Sequence, residues 1–228
     1  MKYEFLFIDL DDTIYDFQAS AKISLDKASE DMGLPEEKRN YTLYSTINQK
    51  LWDDYSLGKT TKEKLVVDRF EEYFNAIGFI NVSAVDFGKR YEKYLSETAM
   101  ILENSDEILK SLKNKGIKIY IITNGIEKVQ RKKIKICGID KICDGIFISD
   151  EIGSTKPDKR FFEYILRELP FVDKKRSLIV GDNLLSDIGL GINAGVDTCY
   201  LNRTDKKIKG EFSPTYEIFS LKELLNLI

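Results

Sequence analysis

Asp9, Asp11 and Asp12 stand together directly after the apolar run Phe5 to Ile8, and Thr13 follows them. Carboxylates crowded at the end of a buried strand raise one another's pKa and resist folding unless positive charge sits among them. A divalent cation supplies that charge most simply. The D-x-D spacing alone is a weak signal, because acids at strand ends often only cap the next turn. Three further stretches strengthen it. Thr123-Asn124-Gly125 offers a hydroxyl, an amide and a glycine that permits close backbone approach, a set suited to a phosphate oxygen. Ser154-Thr155-Lys156-Pro157-Asp158 puts an ammonium at a helix entrance, where it can meet phosphate or screen a carboxylate nucleophile. Gly181-Asp182-Asn183, with Asp187 beyond, adds oxygen ligands for a hard cation.

These residues need elements to bring them together. Short apolar runs rich in β-branched and aromatic residues predict strands at Tyr3 to Ile8, Ile117 to Thr123, Gly145 to Ser149, Ser177 to Gly181, Thr198 to Leu201 and Tyr216 to Phe219. Asn104 with Glu107 predicts a helix start, Gly116 its stop and Pro157 the first residue of another helix. Strands alternating with helices after residue 104 predict an α/β fold: a Rossmann-like, mostly parallel sheet with helices on both faces. In such sheets ligands bind beyond the carboxyl ends of the strands, where the four stretches lie. Residues 15–98 break the alternation. They carry long amphipathic patterns, Tyr41 to Leu57 and Thr61 to Ile77, a capping box at Thr60 to Glu63, and no convincing strand. We therefore expect a core of residues 1–14 and 99–228 with a helical cap, 15–98, inserted after the first strand.

Composition narrows the chemistry. The chain has 228 residues and no histidine, which excludes serine-histidine hydrolases, histidine phosphatases and nearly all zinc enzymes. Lysine and arginine total 35 against 38 acids, a net charge of -3, so no long-range field favours nucleic acid or an anionic membrane. The expected partner is a small metabolite, and the expected oligomer a monomer or homodimer. The apolar run at the N-terminus is far too short for a signal core or a spanning helix. Cys137, Cys143 and Cys199 form no C-x-x-C pair, which suits a reducing, cytoplasmic setting.

Four strand ends bearing in order a paired aspartate, a small hydroxyl, a lysine and a final acidic pair resemble the signature of the haloacid dehalogenase-like superfamily, over the whole chain and including a cap after the first motif. The resemblance implies that Asp9 is the nucleophile and passes through an aspartyl-phosphate, with Asp11 as general acid and then base. It implies that Thr123, Asn124 and Gly125 hold phosphate and that Lys156 neutralises charge. Asp9, Asp182 and the Asp11 carbonyl would bind Mg2+, with Asp187 and Asn183 orienting metal-bound water. Dehalogenases of this superfamily lack the second aspartate, since a halide leaves without a proton; Asp11 thus argues for a phosphatase. Asp9 to Phe17, Asn48 to Trp52 and Gly181 to Cys199 further resemble the pyrimidine 5′-nucleotidase branch, with Asn183 where a serine is often found. That likeness implies a small phosphorylated substrate, a pyrimidine nucleoside 5′-monophosphate. Alternatives are a sugar-phosphate or phosphoglycolate-type phosphatase, a phosphomutase, a haloacid dehalogenase, and a non-catalytic phosphate-binding module.

Trp52, Tyr55 and Phe17 could stack on a base, although aromatics at helical spacing are usually core. Gly189 to Ala194 matches a dinucleotide fingerprint but does not directly follow its strand, so we expect a close-packed helix or turn. Lys128, Arg131, Lys132, Lys133 and Lys135 form a basic helical stretch that we expect to be a solvated face.

Overall fold

The structure is a computed structural model, and it describes residues 2–205, 207–208 and 212–228. The chain divides into two compact units, residues 1–16 with 100–228, and residues 17–99.

In the first unit β1 (Phe5–Ile8), β2 (Lys118–Thr123), β3 (Gly145–Ile148), β4 (Ser177–Gly181), β5 (Asp197–Leu201) and β6 (Tyr216–Ile218) form one sheet. Their order is β3-β2-β1-β4-β5-β6, and every pairing is parallel. The strands lie within a residue or two of the predicted runs. Tyr3 falls outside β1; its hydroxyl instead reaches Asp197 at 2.6 Å. Strand side chains alternate between two cores, as a period of two requires. Leu6, Ile8, Ile119, Ile121, Leu178 and Val180 pack with residues of helices Ser105–Asn114, Glu127–Ile136 and Leu224–Leu227. Phe5, Phe7, Tyr120, Ile122 and Ile179 pack with residues of helices Lys159–Glu168 and Gly189–Ala194. Helices therefore cover both faces, which is why these strands read as nearly unbroken apolar runs.

Local chemistry shifts two predicted helix starts. Pro157 does not begin a helix; it precedes Asp158, whose side chain accepts from Arg160 N and caps the helix that starts at Lys159. In the second unit the cap residue is Thr61 rather than Thr60, with its side chain accepting from Lys64 N. Asn104 holds the predicted cap position without a side-chain cap bond. Gly189–Ala194 is a short helix whose Gly191 packs against Thr198; a methyl group at Gly191 would collide with that side chain.

The second unit consists of helices Phe17–Asp31, Tyr41–Ser56, Lys62–Ala76 and Ala84–Glu97 with a short 3-10 turn at Glu36–Lys38. Its interior is aromatic: Tyr44 stacks on Phe70 at 5.5 Å, and Phe87 meets Phe70 at 4.9 Å. Trp52 and Tyr55 are half-buried, edge to face at 5.7 Å, with the Lys62 ammonium over both rings. Among the described residues no helix is long and apolar enough to cross a membrane.

Candidate active site

Sheet order places the acids. After β2 and β3 have built outward on one side of β1, the chain returns to add β4 on the other side, so a crevice opens beyond β1 and β4. Ile8 is in register with Val180, and Asp9 N donates to Val180 O at 2.9 Å. Asp9 and Asp182, 173 positions apart in the chain, thus emerge side by side. Asp9, Asp182 and Asp187 each offer a carboxylate oxygen, and the three atoms lie within 4.8 Å of one another. Asp187 reaches the crevice from a π-helical turn, Leu184–Ile188, that follows β4. Gly181 makes room for it, since a Cβ there would overlap the Asp187 carboxylate.

Lys156 is the cation among these acids. Its buried ammonium donates to Asp9 Oδ1 at 2.5 Å, to Asp187 Oδ1 at 2.6 Å and to the Ile122 carbonyl at 3.0 Å. Burial acts to lower its pKa, and the carboxylates of Asp187 and Asp9 more than reverse this, so it stays charged. One ammonium does not balance three acids. Burial pushes the Asp9 carboxyl up to about 7, against the pull of Lys156 and reinforced by Asp187. Burial, then the charges of Asp9, Asp12 and Asp187, hold Asp182 well above the carboxylate range. Asp182 has the Thr13 hydroxyl at 3.4 Å. An excess of buried carboxylate oxygens is the donor set of a hard divalent cation, so the residues present fit magnesium.

The family model described as haloacid dehalogenase-like hydrolase matches residues 6–201. The chain belongs to that family. This HAD-like hydrolase is 34% identical over 227 residues to HAD-hydrolase YfnB of Bacillus subtilis, covering 100% of this chain and 96% of that one. It is 32% identical over 228 residues to pyrimidine 5′-nucleotidase PynA of Streptococcus pneumoniae, covering 100% and 96%. Identity to pyrimidine 5′-nucleotidase YjjG of Escherichia coli is 32% over 231 residues, covering 100% and 99%. A crystal structure of YfnB bound to magnesium matches with a TM-score of 0.91, at 33% identity over 100% of this chain and 99% of that one.

The remaining predicted residues of the HAD-like hydrolase divide between the crevice and its scaffold. Thr123 ends β2 and is buried. Both polar atoms of the Asn124 amide engage the Lys156 backbone, at 2.8 and 2.9 Å, so this side chain ties the lysine loop to the end of β2. Asn183 Oδ1 accepts from Ser186 N at 2.9 Å and caps the turn carrying Asp187. Each Asp187 oxygen accepts a bond from protein: Oδ1 from Lys156 at 2.6 Å and Oδ2 from Asn183 N at 3.1 Å.

The basic stretch contains a correction. Lys133 is not on a solvated face; it is fully buried, and its ammonium pairs with Asp11 Oδ1. Gln130, unnoticed in the sequence, is also buried and donates to Asp11 Oδ2 at 2.7 Å and to Thr123 Oγ1 at 2.8 Å. The signal was available. Val129, Gln130, Lys133 and Ile134 follow helical spacing, so the apolar pair marks a buried face that includes the polar pair.

The raised carboxyls predict a pH dependence for the metal-free protein. A carboxyl whose folded pKa exceeds its unfolded value stabilises the fold below the unfolded pKa, and this contribution is lost as pH rises through the folded value, here about 7 for Asp9. In chelator, Asp182→Asn should therefore gain stability over wild type as pH rises from about 5 to about 8, and magnesium should reverse the order. Denaturant titrations with parallel pH slopes for the two proteins would contradict this.

Proposed function

We propose that this HAD-like hydrolase is a phosphatase that takes the phosphoryl group onto Asp9, with pyrimidine nucleoside 5′-monophosphates as substrates. The observation that carries the reading is the Lys156 ammonium bonded both to Asp9 and to the Ile122 carbonyl that precedes Thr123, with Asp11 two residues beyond Asp9. Full-length similarity to two pyrimidine 5′-nucleotidases supports the substrate class.

The Asp9 carboxylate attacks phosphorus, forming an Oδ–P bond while the ester P–O bond breaks. Asp11 delivers a proton to the departing alkoxide oxygen. Asp11 then takes a proton from water, whose oxygen attacks phosphorus and breaks the bond to Asp9, releasing inorganic phosphate. Lys156 holds Asp9 in place and offsets the charge of the incoming phosphate, and the Thr123 hydroxyl binds a phosphoryl oxygen. Asp9, Asp182 and the Asp11 carbonyl would hold magnesium, which supplies positive charge that lowers the repulsion between carboxylate and phosphate. Asp187 keeps Lys156 aligned. Within the helical unit, residues 17–99, the half-buried pair Trp52 and Tyr55 are the candidate base contacts.

With magnesium, kcat/KM for uridine or thymidine monophosphate should exceed that for sugar phosphates and phosphoglycolate by about tenfold or more. Equal values across the panel would remove the nucleotide assignment; halide release from a 2-haloacid without phosphate release would remove the phosphatase. Asp11→Asn should lower kcat on nucleotides by roughly 10² to 10⁴ and leave binding of inorganic phosphate nearly unchanged. A drop confined to KM would contradict its role as proton donor.

A further inference from the structure

The contacts of Gln130 set the hydrogen-bond polarity of the groups that the phosphatase reading assigns to phosphate binding and to proton transfer. A threonine hydroxyl has one proton and two acceptor lone pairs. At Thr123 both lone pairs are filled: Gly125 N donates to Oγ1 at 3.1 Å and Gln130 Nε2 at 2.8 Å. The hydroxyl proton is left free to point away from both donors, which makes the group a donor and suits it to an anion. This polarity depends on which way the Gln130 amide faces.

Lys133 decides that orientation. Its ammonium donates to Gln130 Oε1 at 3.2 Å, and Gln130 Nε2 donates to Asp11 Oδ2 at 2.7 Å. Turning the amide over would set its oxygen against a carboxylate and its NH2 against an ammonium, losing both bonds and adding two repulsions. Lys133 is itself fixed. It is wholly buried and paired with Asp11, the Tyr15 hydroxyl donates to its carbonyl at 3.1 Å, and the Tyr15 ring lies 5.4 Å from its ammonium. Gly125 completes the arrangement, because a Cβ at that position would overlap the Gln130 side chain.

We propose that Gln130, oriented by the buried Lys133, is a positioning residue of the active site: one NH2 group makes Thr123 a phosphate donor and holds the Asp11 carboxylate in place for proton transfer. The proposal rests on the phosphatase reading. It gives the otherwise unexplained burial of a glutamine and a lysine a purpose that a merely structural pair would not serve.

Gln130→Glu and Gln130→Met separate the two. Glutamate keeps the shape of the side chain but turns its donor into an acceptor facing Asp11 and Thr123; methionine removes the polarity. With magnesium present, kcat/KM is measured for the best alkyl phosphate of the panel, whose leaving oxygen needs a proton, and for 2,4-dinitrophenyl phosphate, whose leaving group does not. Inhibition by inorganic phosphate is measured alongside. In both variants the alkyl-to-aryl ratio should fall by about tenfold or more, and the inhibition constant for phosphate should rise by about tenfold. An unchanged ratio in an active variant overturns the proposal, whatever the absolute loss. If Gln130→Met does not fold, Gln130→Glu decides alone. A wild type inert toward both esters overturns the phosphatase reading itself, whereas an active wild type with unchanged variant ratios overturns only the positioning role.

Discussion

Asp9→Asn is expected to stop phosphate release, lowering kcat by roughly 10⁴-fold or more, because it removes the carboxylate that the proposed mechanism uses as its nucleophile. Its position is set by the sheet: Asp9 N bonds to Val180 O, and the carboxylate is held by Lys156. An amide oxygen at that position is far less nucleophilic and carries no charge. The fold should survive the change, since burial already disfavours the Asp9 charge and Lys156 keeps Asp187 and the Ile122 carbonyl. Two measurements check this. Steady-state release of phosphate should fall to background in the variant, with its melting temperature kept. Acid quenching of wild type during turnover should trap a phosphoryl group on the peptide containing Asp9. Turnover by Asp9→Asn within tenfold of wild type would leave the covalent mechanism without its nucleophile.

Lys156→Met should cost both activity and stability. Lys156 is a single buried cation shared by two buried carboxylates, and removing one partner of such a pair leaves uncompensated charge in a low-dielectric site. A loss of about 3–5 kcal/mol in unfolding free energy is expected at neutral pH. By contrast Lys64→Met, at an exposed partner of Asp68, should leave the unfolding free energy nearly unchanged, because solvent screens that pair. Denaturant titration of the two variants side by side tests the difference. Magnesium should recover part of the stability lost in Lys156→Met, because it supplies charge to the same acids. Activity should fall with it even where the variant is fully folded, since Asp9 loses its alignment and the phosphate loses a counter-charge.

Much of this arrangement was legible from residue order. The strands read as apolar because they are covered on both sides, and that coverage follows from an all-parallel sheet. Three of the chemistry-bearing residues could be recognised because they stand at strand ends, Asp9 after Ile8, Thr123 at the end of β2 and Asp182 after Gly181, whereas Lys156 lies beyond β3 and a short helix, Ser149–Ile152. Asn124 and Asn183 were harder. Either could have faced a ligand, and the structure uses Asn124 to hold the Lys156 backbone and Asn183 to cap the turn behind Asp182. Short polar side chains bond readily to nearby backbone, and only the path of the chain decides whether they do. The run of charges around Lys133 suggests solvent, while its helical spacing with Val129 and Ile134 marks it as inward-facing; the carboxylate it meets there is decided by the fold.

The sequence by itself determined which groups were available: with no histidine, the chemistry had to come from carboxylates, a lysine, a hydroxyl and backbone. It also determined that they would sit at strand ends, because hydrophobic runs stop where they begin. The tertiary structure decided how those groups pair. Bringing β4 beside β1 sets Asp9 next to Asp182, and packing the helix Glu127–Ile136 against the sheet brings Gln130 and Lys133 to Asp11. Such pairings depend on strand register and helix rotation, which many weak packing contacts fix collectively and no local stretch of residues encodes.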